Sequence, residues 1–128
     1  MKVVRINQIE GVKFTGGISY RPVLAKDNLG FSVCKTVIPK SDEPHRWHYV
    51  NHLEACYCIK GKGILTDLLT GIKTMIVPDT VYMLDNHDDH TFEALEDTVL
   101  ISIFNPPLTG KEKHDENGHY SIPQKENY

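Results

Sequence analysis

No apolar run in this chain approaches the roughly 18 residues of a membrane-spanning helix, so no transmembrane helix is expected. There is no basic run either. Fourteen Lys and Arg against 17 Asp and Glu leave a net charge of −3, which gives no footprint for nucleic acid and no polybasic segment for a membrane surface. Met1 to Arg5 lacks the apolar stretch and small-residue site of a secretory leader, so none is expected. Cysteine is scarce and odd in number: Cys34, Cys56 and Cys58. The spacing of Cys56 and Cys58 puts both on one face of a strand, where they read as small buried apolar residues. A disulfide between them is geometrically awkward, and no second pair completes a zinc cluster. A reducing, cytoplasmic setting is expected. Helical periodicity is missing, as are internal repeats and low-complexity segments.

What remains is a succession of short alternating segments punctuated by turns. Strands are predicted over 18–25, 31–38, 53–59, 64–69, 73–77, 81–84, 91–95 and 99–104, with an edge strand over 2–9. Pro22 favours an edge position for its strand. Residues 11–17 and 39–44 read as loops, and Gly61-Lys62-Gly63 as a hairpin turn. A chain of 128 residues with this pattern is expected to be one all-β domain, a sandwich or barrel. Residues 111–128 form a polar C-terminal segment, able to close over a site.

Two stretches concentrate metal-binding chemistry. His48 to Gly63 packs His48, His52 and Glu54 ahead of a strand and a Gly-x-Gly turn; Tyr82 to His90 ends a strand and closes on a histidine. The spacing is that of a cupin-type β-barrel or jelly roll: Glu54 precedes Gly61 as in a cupin's first motif, and His90 ends the second. A three-His-one-Glu set is not present. Glu54, Tyr82 and His90 remain, and a tyrosine ligates as phenolate beside a divalent cation. Such a set would leave open positions for substrate, and ligand type alone allows iron, manganese, cobalt, nickel or zinc. His48, His87 and His119 read as surface or supporting residues, and Trp47 as core or dimer contact.

The same residues resemble ectoine synthase. The resemblance lies in His52-Leu53-Glu54-Ala55-Cys56-Tyr57-Cys58-Ile59 with Gly61 and Gly63, in Tyr82-Met83-Leu84-Asp85-Asn86-His87-Asp88-Asp89-His90, and in Phe104-Asn105-Pro106-Pro107-Leu108-Thr109-Gly110-Lys111-Glu112-Lys113-His114. Three long motifs in order make a specific signal. The resemblance implies a dimeric cupin and a carbon–oxygen hydro-lyase. Its reaction closes N-γ-acetyl-L-2,4-diaminobutyrate to ectoine, a compatible solute made under osmotic stress, with loss of water. It implies Fe(II) on Glu54, Tyr82 and His90. It also implies a substrate held by Thr36, Tyr49, Phe104, Glu112 and His114, with His52 beside them. Departures sit at the substrate end. A family Trp is missing from residues 15–22, Tyr20 or Arg21 stands near a family Arg, and Ser102 replaces a family Cys. Arg21 and Ser102 are therefore taken as substrate-binding, and slower cyclisation is expected.

Ring closure needs a neutral amine attacking a poorly electrophilic amide carbon, which a Lewis acid assists. Glu112 is a candidate base or amine holder. Tyr49 and His114 are candidate acids for the departing oxygen, and Phe104 a candidate apolar wall. Two other readings share these residues: a metal-dependent cupin enzyme with a related substrate, and a non-catalytic cupin that binds a small ligand.

Overall fold

A computed structural model describes residues 1–112, 114 and 118–120 of the chain. Ten strands alternate inward and outward side chains and form two antiparallel sheets. They are β1 (Val12–Phe14), β2 (Gly17–Val23), β3 (Ser32–Ile38), β4 (His45–Trp47), β5 (Leu53–Lys60), β6 (Gly63–Asp67), β7 (Lys73–Ile76), β8 (Val81–Leu84), β9 (His90–Ala94) and β10 (Thr98–Asn105). One sheet runs β1-β2-β3-β10-β5-β8 and the other β4-β9-β6-β7. Both contribute to one core, with Ile38, Leu84 and Leu100 from the first and Trp47, Ile76 and Phe92 from the second. This is the predicted all-β barrel.

Three local expectations fail. Residues 2–9 form no strand; a short 3₁₀ turn, Ile6–Gln8, stands there with no buried residue, so no apolar face anchors it to a sheet. β1, inside the predicted loop 11–17, and β4, just past the predicted loop 39–44, form strands of three residues, too short for an alternation to register. Their order comes from pairing with β2 and β9. Pro22 lies beyond the stretch that β1 pairs and inside a register shift between Tyr20 and Val23, where no ladder donor is required.

The pleat turns Ser32, Cys34, Thr36 and Ile38 inward on β3, and Thr98, Leu100, Ser102 and Phe104 inward on β10. Register then lines up an interior row: Cys34 faces Ser102, Ser102 faces Cys56, and Cys56 faces Tyr82. Glu54 is the next inward residue on β5, opposite Phe104. Cys56 and Cys58 are buried free thiols, as their spacing predicts.

Candidate active site

An interior lined so largely by polar groups is costly unless they serve one another or a ligand. Ser102 Oγ and Thr36 Oγ1 are 3.0 Å apart, and Cys56 Sγ lies 3.8 Å from Ser102. The serine that stands where a cysteine was expected is thus partnered. Burial pushes the Glu54 carboxyl up to about 7, against lowering by hydrogen bonds from Cys56 and Ser102. Tyr82 is raised well above an ordinary phenol, chiefly by burial. Glu54, Tyr82, Thr36, Ser102, Tyr49 and Phe104 all line a single narrow cavity of about 10 Å³, room for about one water.

His90 stands on β9 across the core. Its ring lies 6.1 Å from Tyr49 and 6.3 Å from Trp47, both of which line the same cavity. Nδ1 is 2.9 Å from the Asp88 carbonyl, which can only accept, so Nδ1 carries the proton. Nε2 is left as a buried lone pair without a hydrogen-bond partner. That is the tautomer a metal ligand requires. Among the described residues no three His, Cys, Asp or Glu side chains form a metal-holding group. The set Glu54, Tyr82 and His90 reaches three donors through a phenol, and its donors fit a divalent ion of borderline hardness.

A second polar focus lies at the strand ends. Arg21 is buried, its Nε donating to Ser19 Oγ at 3.1 Å, while Nη1 and Nη2 have no hydrogen-bond partner. Glu112 is 3 % exposed, not the solvated tail residue its polar surroundings suggest. Its Oε2 accepts the Thr109 N–H at 2.7 Å and its Oε1 the Gly110 N–H at 3.0 Å, with Arg21 Nη1 at 3.9 Å. His52 is fully buried, neither ring nitrogen is hydrogen-bonded, and burial lowers its pKa to about 4, so it is neutral near pH 7.

Aromatic rings close the mouth. Tyr49 Oη and His114 Nε2 are 2.8 Å apart, and burial holds the Tyr49 phenol protonated. Phe104 meets Tyr49 edge-on at 5.3 Å. Tyr120 stacks on His114 at 4.7 Å, and the Arg21 guanidinium lies 5.7 Å from its ring centroid. Two bonds strap this end down: His48 N–H donates to the Gly118 carbonyl at 2.9 Å, and Asn51 Nδ2 to the Tyr120 carbonyl at 2.9 Å. Of the predicted site residues, Thr36, Tyr49, Glu54, Tyr82, Ser102 and Phe104 line the cavity, whereas Arg21, His52, Glu112 and His114 do not and His90 lines a separate cavity with Leu65 and Leu84. Of the C-terminal segment 111–128, positions 113, 115–117 and 121–128 lie outside the described residues. Five lining residues were not read as site residues from the sequence: Phe14, Ser19, Trp47, Leu100 and Tyr120. An aromatic in a polar tail was the available signal for Tyr120. His87 is a supporting residue, its Nδ1 lying 2.9 Å from the Tyr49 carbonyl and 3.0 Å from that of His52.

The architecture is that of a cupin. An RmlC-like cupin from Shewanella frigidimarina superposes with a TM-score of 0.61 at 17% identity, covering 78% of this chain and 86% of that one. The match to the family described as ectoine synthase runs over residues 1–124, and the chain belongs to that family. An L-ectoine synthase from Halalkalibacterium halodurans is 44% identical over 95% of this chain and 97% of its own length. The crystal structure of ectoine synthase from P. lautus superposes with a TM-score of 0.78 at 34% identity, covering 84% of this chain and 80% of that one.

Proposed function

We propose that this chain is an L-ectoine synthase, a hydro-lyase that closes N-γ-acetyl-L-2,4-diaminobutyrate to ectoine, with Fe(II) held by Glu54, Tyr82 and His90. The observation that carries the reading is a pair of buried groups without hydrogen-bond partners in one barrel: the terminal nitrogens of Arg21 and Nε2 of His90. One asks for an anion and the other for a cation or donor. Bound iron supplies a Lewis acid for the amide carbonyl.

The α-nitrogen of the substrate bonds to the acetamide carbon, and the carbonyl oxygen leaves as water, giving a cyclic amidine. Arg21 takes the carboxylate in a charge-assisted pair. Both Glu112 oxygens already accept backbone N–H groups, so Glu112 holds cationic charge at that end instead of abstracting a proton. Neutral His52 accepts a hydrogen bond from the amine. Tyr49, kept protonated by burial, gives its proton to the departing oxygen, and His114, 2.8 Å away, resupplies it. Phe104 excludes water, and Thr36 and Ser102 offer hydroxyls to the folded substrate. Holding the amine against the carbonyl carbon is worth a large share of the rate.

The setting we infer is cytoplasmic synthesis of a compatible solute under osmotic stress, by a homodimer. The test is to incubate Fe(II)-loaded protein with N-γ-acetyl-L-2,4-diaminobutyrate and separate the products by chromatography. Ectoine formed one for one with substrate consumed is expected; substrate left intact contradicts the reading.

A further inference from the structure

One wall of the cavity comes from a place no motif marks. Phe14 stands on β1 directly across from Gly17. A Cβ at position 17 would run into the Val37 carbonyl and come within 3.0 Å of the Phe14 ring, so the ring occupies space that the missing side chain leaves. From there Phe14 reaches Trp47 at 5.6 Å and meets the His114 ring edge-on at 5.0 Å. Trp47 is fixed in turn: its indole N–H donates to the Thr15 carbonyl at 2.8 Å, and it stacks on Phe92 at 6.1 Å. Both rings line the cavity. The β1–β2 turn lies directly against β4, where a Cβ at Gly16 would meet the His45 ring at 2.5 Å.

Two chemically distinct sets of residues therefore flank the cavity, Arg21 and His52 reaching it through Tyr120. Arg21, Glu112 and His52 form the polar set. Phe14 and Trp47 form the apolar one, beside the His114–Tyr49 pair that serves the departing oxygen. The substrate has the same asymmetry: a charged amino acid end and, attached to the reacting carbon, one methyl group. We propose that Phe14, backed by Trp47, is the specificity-determining residue that limits the acyl group to acetyl; this rests on the substrate orientation inferred above. The methyl packs against the Phe14 ring. An added methylene on that side meets the ring, which lines the cavity.

The experiment compares kcat/KM for N-γ-acetyl- and N-γ-propionyl-L-2,4-diaminobutyrate in the Fe(II)-loaded parent, Phe14→Leu and Phe14→Ala. Propionyl substrate loses the same water and gives the 2-ethyl homologue, separable by mass. The propionyl-to-acetyl ratio is expected to rise about tenfold or more in Phe14→Ala, within the range one methylene contributes in an apolar pocket, and less in Phe14→Leu. A purely structural role would lower both substrates together and leave the ratio fixed. An unchanged ratio in both variants, with the parent active on acetyl substrate, overturns the inference alone. A parent inactive on acetyl substrate overturns the site reading with it. If Phe14→Ala fails to fold by circular dichroism, the ratio in Phe14→Leu decides.

Discussion

Tyr49 shows what burial does to a single side chain in this barrel: desolvation holds its phenol protonated while His114 waits 2.8 Å away. Tyr49→Phe keeps the ring contacts with Phe104 and Tyr120 and removes the hydroxyl with its hydrogen bond to His114. The variant is expected to fold normally and to lose about 10²- to 10⁴-fold in kcat, with KM little changed; a kcat near that of the parent would exclude Tyr49 as the acid. Burial acts on the thiols in the same direction. Cys34 is pushed up to about 11 and Cys56 well above the ordinary thiol value, chiefly by desolvation. Thiol, not thiolate, is the stable form of both through neutral and mildly alkaline pH, so iodoacetamide at pH 8 should leave them unmodified in native protein and label them after denaturation. Labelling before unfolding would show the interior to be open. Much of this scale was legible in the chain. Glu54, Tyr82 and His90 sit at strand positions whose alternation turns them inward. Phe14 and Tyr120 were not legible, because each reaches the cavity from outside the alternating strands that mark the core.

At the scale of elements, β1 and β2 depend on an exchange: Gly17 gives up its side chain so that Phe14 can cover the pair. Gly17→Ala puts a methyl against the Val37 carbonyl and the Phe14 ring. It should destabilise the fold by about 1–3 kcal/mol, the usual range for overpacking. Thermal melting followed by circular dichroism would read this as a clear drop in Tm, and an unchanged Tm would mean the hairpin shifts freely. A tryptophan at this position is incompatible with Phe14 in its present place. Long strands with clean alternation, such as β3 and β10, were predicted to within a residue or so. The three-residue β1 and β4 were not, since their order comes from neighbours far along the chain. The N-terminal expectation failed for the converse reason: apparent alternation over 2–9 has no sheet edge to bury it.

For the whole molecule, the outer face of the six-stranded sheet carries a row of apolar side chains that the core does not use. Tyr57 and Ile59 on β5, Val81 and Met83 on β8, and Ile103 on β10 are all exposed, with Met83 at 65%. Apolar side chains clustered on one face favour association, and a second copy would cover them. Light scattering is expected to give twice the 14.6 kDa chain mass, and Met83→Glu with Val81→Lys to shift it toward one chain. A monomeric parent at micromolar concentration would contradict this. The proposed metal site joins the two sheets: β5 and β8 supply Glu54 and Tyr82 from one, β9 supplies His90 from the other, and together they would hold the ion. Metal content by plasma mass spectrometry on Fe(II)-reconstituted protein, paired with ectoine production, tests it most directly. The account predicts about one iron per chain in the parent and in Cys58→Ala. Glu54→Ala, Tyr82→Phe and His90→Ala should lose most of the iron and, in step, the ectoine. Full iron and full turnover in Glu54→Ala and His90→Ala would contradict it.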